Sequence, residues 1–342
     1  MTIPRKRITI AFPGPPQKGG PGSFQNRLAR ELQGRGYQIY LPGIGLSPAI
    51  LLVVGGTAKV GWLWRTKRKG ARVVQRLDGI NWRHRVTAVS PWQFLLSEFR
   101  NWLMVLTRNF LADHVVYQSE FVKNWWHRKY GPAPCLETVI YNGVDLTQFT
   151  PEMRESPNGD RPVVLCVEGN VQDDPVTVKI LTTVAKRLFK EGIIERTEVY
   201  GGVSAAIRSR LAKQPGIRLR GVVPREEMPR VFSQAGTFLV LEINPPCPNS
   251  VIESLASGLP VVGFDTGSLR ELVPPEAGMI VPYGGDPWKL EEPDLPALRR
   301  AVKQVLARRA DYGKAARSLA ERRFGLDNMV ESYLRVFDEV LG

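Results

Sequence analysis

The run from Leu241 to Val273 constrains the fold most, because it predicts a strand, a loop, a helix and a second strand in succession. The first strand, FLVLE, is followed by the Pro-rich run INPPCP, which can continue neither a strand nor a helix. Asn249 and Ser250 are favourable N-cap residues for a short helix that Gly258 ends. The apolar run PVVGF is then typical of a strand buried on both faces. The unit predicts a parallel sheet, with the loop and the helix N-terminus at the carboxyl edge where such sheets bind ligands.

The start of this predicted helix suits a nucleotide. Its free amides and the positive end of its dipole favour phosphate, and Asn249 and Glu253 lie one turn apart on the same face. A diphosphate at Asn249 would bring an attached ribose near Glu253. A carboxylate accepts from two vicinal hydroxyls at once, each bond contributing roughly 1.5–3 kcal/mol. An isolated Glu here would be a solvated helical residue, but the surrounding pattern favours a ribose ligand.

The run CPNSVIESLASGLPVVGFDTGSLREL resembles the nucleotide-sugar signature of retaining GT-B glycosyltransferases of glycosyltransferase family 4, also called glycosyl transferases group 1. The resemblance implies that Glu253 binds the donor ribose and that Asn249 and Ser250 cover its diphosphate. In this family a first Glu, eight residues earlier, contacts the transferred sugar. Here that position is Pro245, and two nearby residues could reach the same space, Glu242 and Asn244.

Composition predicts a globular protein of two domains. The chain has 342 residues, 43% hydrophobic and 23% charged. MTIPRKRITIAF leads straight into a predicted strand without the apolar run of a signal peptide, and three widely spaced Cys argue against a disulfide framework. We therefore expect a cytoplasmic location. The three His are not at metal-ligand spacing, so no metal or other cofactor is expected besides the donor substrate.

The net charge of +14 is confined to one half of the chain. Residues 1–150 hold 21 Lys and Arg against 7 Asp and Glu, whereas residues 151–342 hold 26 of each. A one-sided field indicates an anionic partner, which could be an acidic membrane surface, an anionic acceptor or nucleic acid. Nucleic acid is disfavoured because no recognised binding motif occurs.

Two aromatic segments bear on the membrane alternative. The basic and aromatic run at residues 62–72 could lie at anionic headgroups, peripherally on the cytoplasmic membrane face, or form a solvated helix whose Trp residues pack inward. The amphipathic helix predicted over residues 90–112 is expected to pack on its domain rather than insert into a membrane.

A Gly-rich loop follows the first predicted strand. Gly20 and Gly22 allow close approach of a ligand, and Ser23 is a candidate N-cap for the helix after them. The run does not fit Gly-x-Gly-x-x-Gly, and no acidic residue ends the next strand, so a dinucleotide oxidoreductase is disfavoured. The segment KGGPGSFQNRLARELQGRGY resembles the first loop of the same glycosyltransferase family, which implies that these three residues face the donor diphosphate.

The segment RLDG, with Gln118-Ser119 after a later strand, resembles a subgroup of the family. Asp78 could orient a sugar hydroxyl or the acceptor nucleophile, and it is the candidate catalytic residue. Asp-Gly is also a common turn. Arg76 could face a phosphate or pair with Asp78.

The second domain begins with the predicted strand PVVLCVEGN. The family normally has Gly-Arg here and a Lys shortly after, two cations for the leaving diphosphate, where this chain has Gly169-Asn170 and VQDDP. We place Asn170 at the donor site by this correspondence. Charge on the leaving group could instead be met by Arg225, by Lys18, by Arg76 or by helix-end amides.

The resemblance implies a GT-B fold of two facing Rossmann-like α/β domains with a cleft between them. We expect residues 1–150 to form the acceptor-side domain, residues 151–325 the nucleotide-sugar domain, and residues 326–342 a helix that packs back on the first. The implied function is retaining, metal-independent transfer of a sugar from a nucleotide-sugar to a hydroxyl of a glycan or lipid-linked acceptor. The alternative is a non-catalytic sugar-nucleotide or glycan-binding relative, which Pro245 and Asn170 would explain.

Overall fold

The computed structural model describes residues 8–16, 19–41, 47–151, 161–171 and 175–342. The candidate cation Lys18, most of the segment EMRESPNGDRP and the acidic residues of VQDDP lie outside these ranges. Contacts divide the chain into two units. Unit 1 is Met1–Asn142 with Asp327–Gly342, and unit 2 is Gly143–Leu326.

Unit 1 is built on a parallel six-stranded sheet in the order β2-β1-β3-β4-β5-β6. The strands are short apolar runs bounded by turn residues, and the central ones are buried on both faces, as expected when helices cover a parallel sheet. They are β1 (Thr9–Ala11), β2 (Gln38–Tyr40), β3 (Ile50–Val54), β4 (Arg72–Leu77), β5 (His114–Tyr117) and β6 (Leu136–Val139).

Four helices of unit 1 connect these strands. They are α1 (Gly20–Gly34), α2 (Val60–Arg68), α3 (Pro91–Phe110) and α4 (Glu120–Tyr130). The prediction that Ser23 caps the first helix is wrong. The cap position is Gly19, whose φ of 88° suits glycine, and Pro21 lies in the first turn, where the missing amide hydrogen costs nothing. Ser23 is therefore inside α1, with its amide donating to the Gly19 carbonyl at 3.0 Å.

Helix α3 begins with a capping box. The Ser90 hydroxyl accepts from the amide of Gln93, and the Gln93 side chain accepts from the amide of Ser90. The second half of the helix packs on the unit through Leu103, Met104 and Thr107. The expectation that the whole helix packs on its domain is wrong for the first half, because the apolar side chains there face solvent.

Unit 2 contains a second parallel six-stranded sheet, in the order β12-β11-β10-β7-β8-β9. One large apolar cluster between this sheet and its helices forms the core of the unit. The strands are β7 (Val163–Asn170), β8 (Arg196–Gly202), β9 (Ile217–Gly221), β10 (Thr237–Leu239), β11 (Val261–Phe264) and β12 (Gly278–Val281).

The helices of unit 2 alternate with its strands. They are α5 (Pro175–Lys179), α6 (Lys186–Lys190), α7 (Ala205–Leu211), α8 (Met228–Ser233), α9 (Asn249–Ala256), α10 (Leu269–Leu272), α11 (Leu295–Ala307) and α12 (Arg309–Arg323). A π-helical turn at Ile180–Ala185 joins α5 to α6. The last helix of the chain, α13 (Leu326–Leu341), falls in unit 1 from Asp327 onwards.

Contacts with α1 explain why α13 groups with unit 1. Arg35 at the end of α1 pairs with Asp327 at 2.6 Å and also with Glu331. The ring of Phe24 packs on Tyr333 with centroids 5.3 Å apart. The two parallel sheets flanked by helices confirm the predicted α/β fold class.

Candidate functional site

The loop between β10 and α9 is held by close backbone contact with the turn after β11. Gly267 has a φ of +62°, and a β-carbon there would lie 2.4 Å from the backbone nitrogen and oxygen of Pro245. The carbonyl of Pro245 accepts from both the amide and the hydroxyl of Ser268, at 2.9 and 3.0 Å. Only glycine permits this approach, so the GLPVVGFDTGS run serves to position the loop.

The position of the family's first acidic residue is thus occupied by the buried Pro245, whose backbone helps to hold the loop in place. Its neighbour Asn244 is buried and has a φ of 55°, a left-handed conformation that Asn tolerates better than most residues. The backbone amide of Asn244 donates to the Thr266 hydroxyl at 3.2 Å. The side-chain Nδ2 of Asn244 is buried and has no acceptor among the described residues. Glu242 is half-buried beside this loop.

The N-cap of helix α9 lies one residue before the predicted cap Asn249. Pro248 occupies the cap position with φ −68° and ψ 123°, and it supplies no side-chain hydrogen bond. The prediction of Asn249 and Ser250 as caps is therefore wrong, since both are half-buried residues of the first turn. The amides of that turn have no intrahelical acceptor by geometry. Gly258, with φ +64°, ends the helix as predicted.

Glu253 lies on the buried side of α9, one turn after Asn249. Its side chain is 5% exposed and accepts a 2.8 Å bond from Nη2 of Arg225. Burial raises the pKa of Glu253 to about 7, and the Arg225 charge opposes that shift. Arg225 reaches Glu253 from a short 3-10 turn before α8, with its own side chain 45% exposed. The structure therefore brings these two predicted site residues together.

Asn170 is the exposed last residue of β7. A β-carbon on Gly202, at the end of β8, would lie 2.2 Å from its side-chain oxygen. The amide of Val171 then donates to the Gly202 carbonyl at 2.8 Å. Asn170 is thus packed on the neighbouring strand end, at the carboxyl edge of the sheet of unit 2.

In unit 1, Arg76 at the end of β4 is enclosed by acceptors. Its guanidinium donates to Asp78 at 2.8 Å, to Gln118 at 2.6 Å and to Asn142 at 2.9 Å. The guanidinium also lies 4.1 Å from the centre of the Phe24 ring, and the residue is 1% exposed. Of the two predicted alternatives, the structure places Arg76 in a pair with Asp78.

The Asp78 side chain is 23% exposed and lines a cavity of about 640 Å³. Burial raises the pKa of Asp78, and the Arg76 guanidinium opposes that shift. The Asp78 carbonyl accepts from the indole nitrogen of Trp126 at 2.8 Å. The cavity is walled by α3 on one side and by the β3 and β4 ends on the other. Its lining includes Pro21, Gly55, Gly56, Asn81, Leu96, Phe99, Arg100, Leu103 and Met104.

The Gly20 to Ser23 segment is the first turn of α1 rather than a loop, and it adjoins the Asp78 cavity through Pro21. The sequence reasoning overlooked two residues that hold this site, Phe24 under Arg76 and Trp126 on the Asp78 backbone. Their apolar surroundings in the sequence gave no signal, because both act through contacts distant in the chain.

Metal sites and membrane spans are both absent from the part of the chain that the structure describes. Within it, no group of three His, Cys, Asp or Glu side chains could hold a metal ion. None of the helices in these ranges is long and apolar enough to cross a membrane.

Comparison with known proteins supports the glycosyltransferase class predicted from the sequence. Residues 161–307, all within unit 2, match the family model described as Glycosyl transferases group 1. No match was found among curated proteins.

Three solved structures share the fold over nearly the full length. Sucrose-phosphate synthase from Thermosynechococcus elongatus is 16% identical with a TM-score of 0.75, covering 98% of this chain and 99% of its own. A glycosyltransferase from Rickettsia africae is 15% identical with a TM-score of 0.71, covering 98% of each chain. The Anabaena protein HepE, in complex with UDP and glucose, is 15% identical with a TM-score of 0.70, covering 97% and 100%.

The family match over residues 161–307 and the shared fold support the glycosyltransferase class predicted from the sequence.

Proposed function

We propose that the protein transfers a sugar from a nucleotide-sugar donor to a hydroxyl of a glycan or lipid-linked acceptor, with retention of configuration and without a metal ion. The observation that carries this proposal is Glu253, a nearly buried carboxylate one turn inside α9. A buried carboxylate in this position can accept from two ribose hydroxyls while the first-turn amides of α9 bind the attached diphosphate.

UDP is the first nucleotide to consider. HepE forms a complex with UDP and glucose, and its fold matches this chain along nearly the whole length. We assign Asn249 and Ser250 to the diphosphate and Glu253 to the ribose. The unpaired, buried Nδ2 of Asn244 would donate to a hydroxyl of the transferred sugar, taking over from the carboxylate that Pro245 replaces. Glu242 is the second candidate for that sugar.

The negative charge that develops on the leaving diphosphate must be stabilised by a hydrogen-bond donor or a cation. Asn170 offers an exposed amide at the edge of the unit 2 sheet. The half-exposed guanidinium of Arg225 is bonded to Glu253, and we assign it to that pair rather than to the diphosphate. Arg76 is enclosed by three side-chain acceptors, and we assign it to the positioning of Asp78 rather than to phosphate.

We assign the donor to the domain of residues 151–325 and the acceptor to the basic domain of residues 1–150, which residues 326–342 complete. In that domain Asp78, beside the cavity, would orient the acceptor hydroxyl. Gly20, Gly22 and Ser23, in the first turn of α1, would face the diphosphate. By the family resemblance, the departing phosphate takes the proton of the attacking hydroxyl on the same face of the sugar. We keep the cytoplasm as the expected location.

Calorimetric binding of UDP, GDP, ADP, TDP and CMP tests the donor site directly. We expect one nucleotide to bind the wild type, and Glu253→Ala or Glu253→Gln to weaken it by about 2–3 kcal/mol. Glu276→Gln, which changes an exposed Glu of the same unit, is the matched control and should bind as the wild type does. If none of the nucleotides binds at millimolar concentration, the donor-site assignment is wrong.

Turnover separates the enzyme from its alternative. With the matching nucleotide-sugar, the enzyme releases free nucleoside diphosphate in the presence of acceptor, and slowly by hydrolysis without it. A protein that binds the nucleotide but neither transfers nor hydrolyses the sugar would be the non-catalytic relative. The family match does not favour that alternative.

A further inference from the structure

Helix α3 exposes a row of large apolar side chains to solvent. Trp92, Leu95, Phe99 and Trp102 follow each other at spacings of three and four residues, which places them along one side of the helix. Phe110 lies on the same side at the helix end. These five side chains are between 49% and 78% exposed. We call these five residues the aromatic stripe.

Folding of unit 1 does not account for the aromatic stripe. The helix packs on the unit through other positions, among them Leu103, Met104 and Thr107. The rings of Phe99 and Trp102 stack on each other with centroids 5.8 Å apart, yet both remain about half exposed. A contiguous exposed apolar surface of this kind marks an interaction site.

The charge around the stripe indicates which partner covers it. Residues 57–112 contain 11 Lys and Arg against 2 Asp and Glu. Arg100 follows Phe99 on α3, and Arg85 is tied to α3 through its bonds of 2.8 and 2.9 Å to Glu98. Helices α2 and α3 both lie on one apolar cluster of unit 1, which Trp62 and Leu106 contact. Helix α2 carries exposed Arg65 and Arg68, the latter 4.4 Å above the exposed Trp64 ring.

Apolar rings flanked by exposed cations complement an anionic lipid surface. The rings enter the boundary between headgroups and acyl chains, and the cations attract the anionic headgroups near the surface. Because no described helix could cross a bilayer, such a contact would lie along the membrane surface. A second copy of the chain would bring a surface of the same positive sign against it, which is unfavourable.

The aromatic stripe is continuous with the Asp78 cavity. Phe99 belongs to the stripe and also lines the cavity, together with Leu96 and Arg100 of the same helix. An amphiphile anchored in a bilayer at the stripe could therefore present its polar end to Asp78 along Phe99.

We propose that the aromatic stripe of α3 and its neighbouring cations dock the protein on an anionic lipid bilayer. The docking does not depend on the glycosyltransferase activity. The acceptor class that it implies, a polar group carried on a hydrocarbon chain, does rest on the proposed function.

Sedimentation with lipid vesicles tests the docking. The wild type should sediment with vesicles of phosphatidylcholine and phosphatidylglycerol, and far less with phosphatidylcholine alone. The variant Trp92→Ser/Leu95→Ser/Trp102→Ser should bind the anionic vesicles about tenfold more weakly or less. Leu136→Ser/Val222→Ser removes exposed apolar side chains outside the stripe and should bind as the wild type does.

The outcomes are separable. Equal vesicle binding by the stripe variant and the wild type, or no binding by the wild type, overturns the proposal. So does a wild-type dimer in sedimentation velocity that the stripe variant converts to a monomer without any change in vesicle binding. Far-ultraviolet circular dichroism and urea unfolding of the stripe variant, equal to those of the wild type, show that its fold is intact. If no nucleotide binds either protein but the vesicle difference persists, the proposed donor function fails and the docking stands.

Discussion

The arginine–carboxylate pairs at the two candidate sites are buried in opposite senses. In unit 1 the cation is hidden, since Arg76 is 1% exposed while Asp78 opens to a cavity. In unit 2 the anion is hidden, since Glu253 is 5% exposed while Arg225 remains 45% exposed. Both pairs are joined by a 2.8 Å bond, so the difference lies in the surroundings rather than in the pair itself.

The surroundings show that the two pairs serve different purposes. Arg76 has two amide oxygens besides its carboxylate, so its position is fixed and the orientation of Asp78 follows from it. Glu253 is held in a site whose burial opposes its charge, and its partner approaches from solvent. We infer that the unit 1 pair is a permanent part of the fold, whereas the unit 2 pair is built to exchange Arg225 for a ligand.

The largest expected effect is that of Arg76→Met. The substitution leaves the oxygens of Gln118, Asn142 and Asp78 without their donor in a buried place, which should lower the free energy of unfolding by about 3–5 kcal/mol. Urea unfolding followed by tryptophan fluorescence reports on unit 1, which holds seven of the eight Trp residues. Arg72→Met, on the same strand but more than half exposed, should change it by less than about 0.5 kcal/mol. Equal losses of unfolding free energy in both variants would show that the buried hydrogen bonds of Arg76 do not stabilise unit 1.

The pH dependence of stability should reveal the buried Glu253. Its pKa rises from the ordinary 4.5 to about 7 in the folded protein, so the unfolded chain loses this proton first as the pH rises. Stability should therefore fall between pH 4.5 and 7, by up to about 3 kcal/mol from this group. Glu253→Gln should remove that part of the slope, which urea unfolding across this range would measure against Glu276→Gln. A slope unchanged by Glu253→Gln would contradict the burial of a titrating carboxyl.

The contrast between the pairs also marks how far the sequence could predict the sites. Glu253 was predicted from local spacing because Asn249, Glu253 and Gly258 belong to one helix and its cap. The enclosure of Arg76 could not be predicted, since two of its three acceptors, Gln118 and Asn142, lie 42 and 66 residues further along the chain. Which apolar side chains of a helix are buried also depends on which other elements of the fold cover that helix.

The same distinction applies to the fold as a whole. Runs such as ILLVV and PVVGF between turn residues predicted the strands and hence the two parallel sheets. Helix starts were less certain, because backbone conformation decided them at Gly19 and Pro248 against the side-chain preferences of Ser23 and Asn249. The apolar content of α3 predicts that the helix packs on its domain. Among the described residues, however, no element of unit 1 covers the aromatic stripe.

A smaller effect tests the claim that backbone contact, rather than a buried cation, organises the unit 2 site. Gly267→Ala forces a β-carbon against the Pro245 backbone at a φ of +62°, and should cost about 2–3 kcal/mol of unfolding free energy. Gly221→Ala is the matched control, with a φ of +75° and open space around its β-carbon, and should cost about 1 kcal/mol. Urea unfolding followed by circular dichroism measures both. Equal costs would mean that the Pro245 loop yields easily and does not position α9.

The smallest effect on stability, and the sharpest test of exchange, is expected for Arg225→Gln. Because Arg225 is nearly half exposed, its loss should change the free energy of unfolding by less than about 1 kcal/mol. The pKa of Glu253 should rise further, since Arg225 lowers it. Nucleotide binding by the variant should then weaken below pH 7, where Glu253 is protonated, and match or exceed that of the wild type near pH 8.5, where no guanidinium competes with the ribose. Calorimetric titration across this range, with exposed Arg230→Gln as the control, distinguishes exchange from a fixed pair, for which binding would fall equally at every pH.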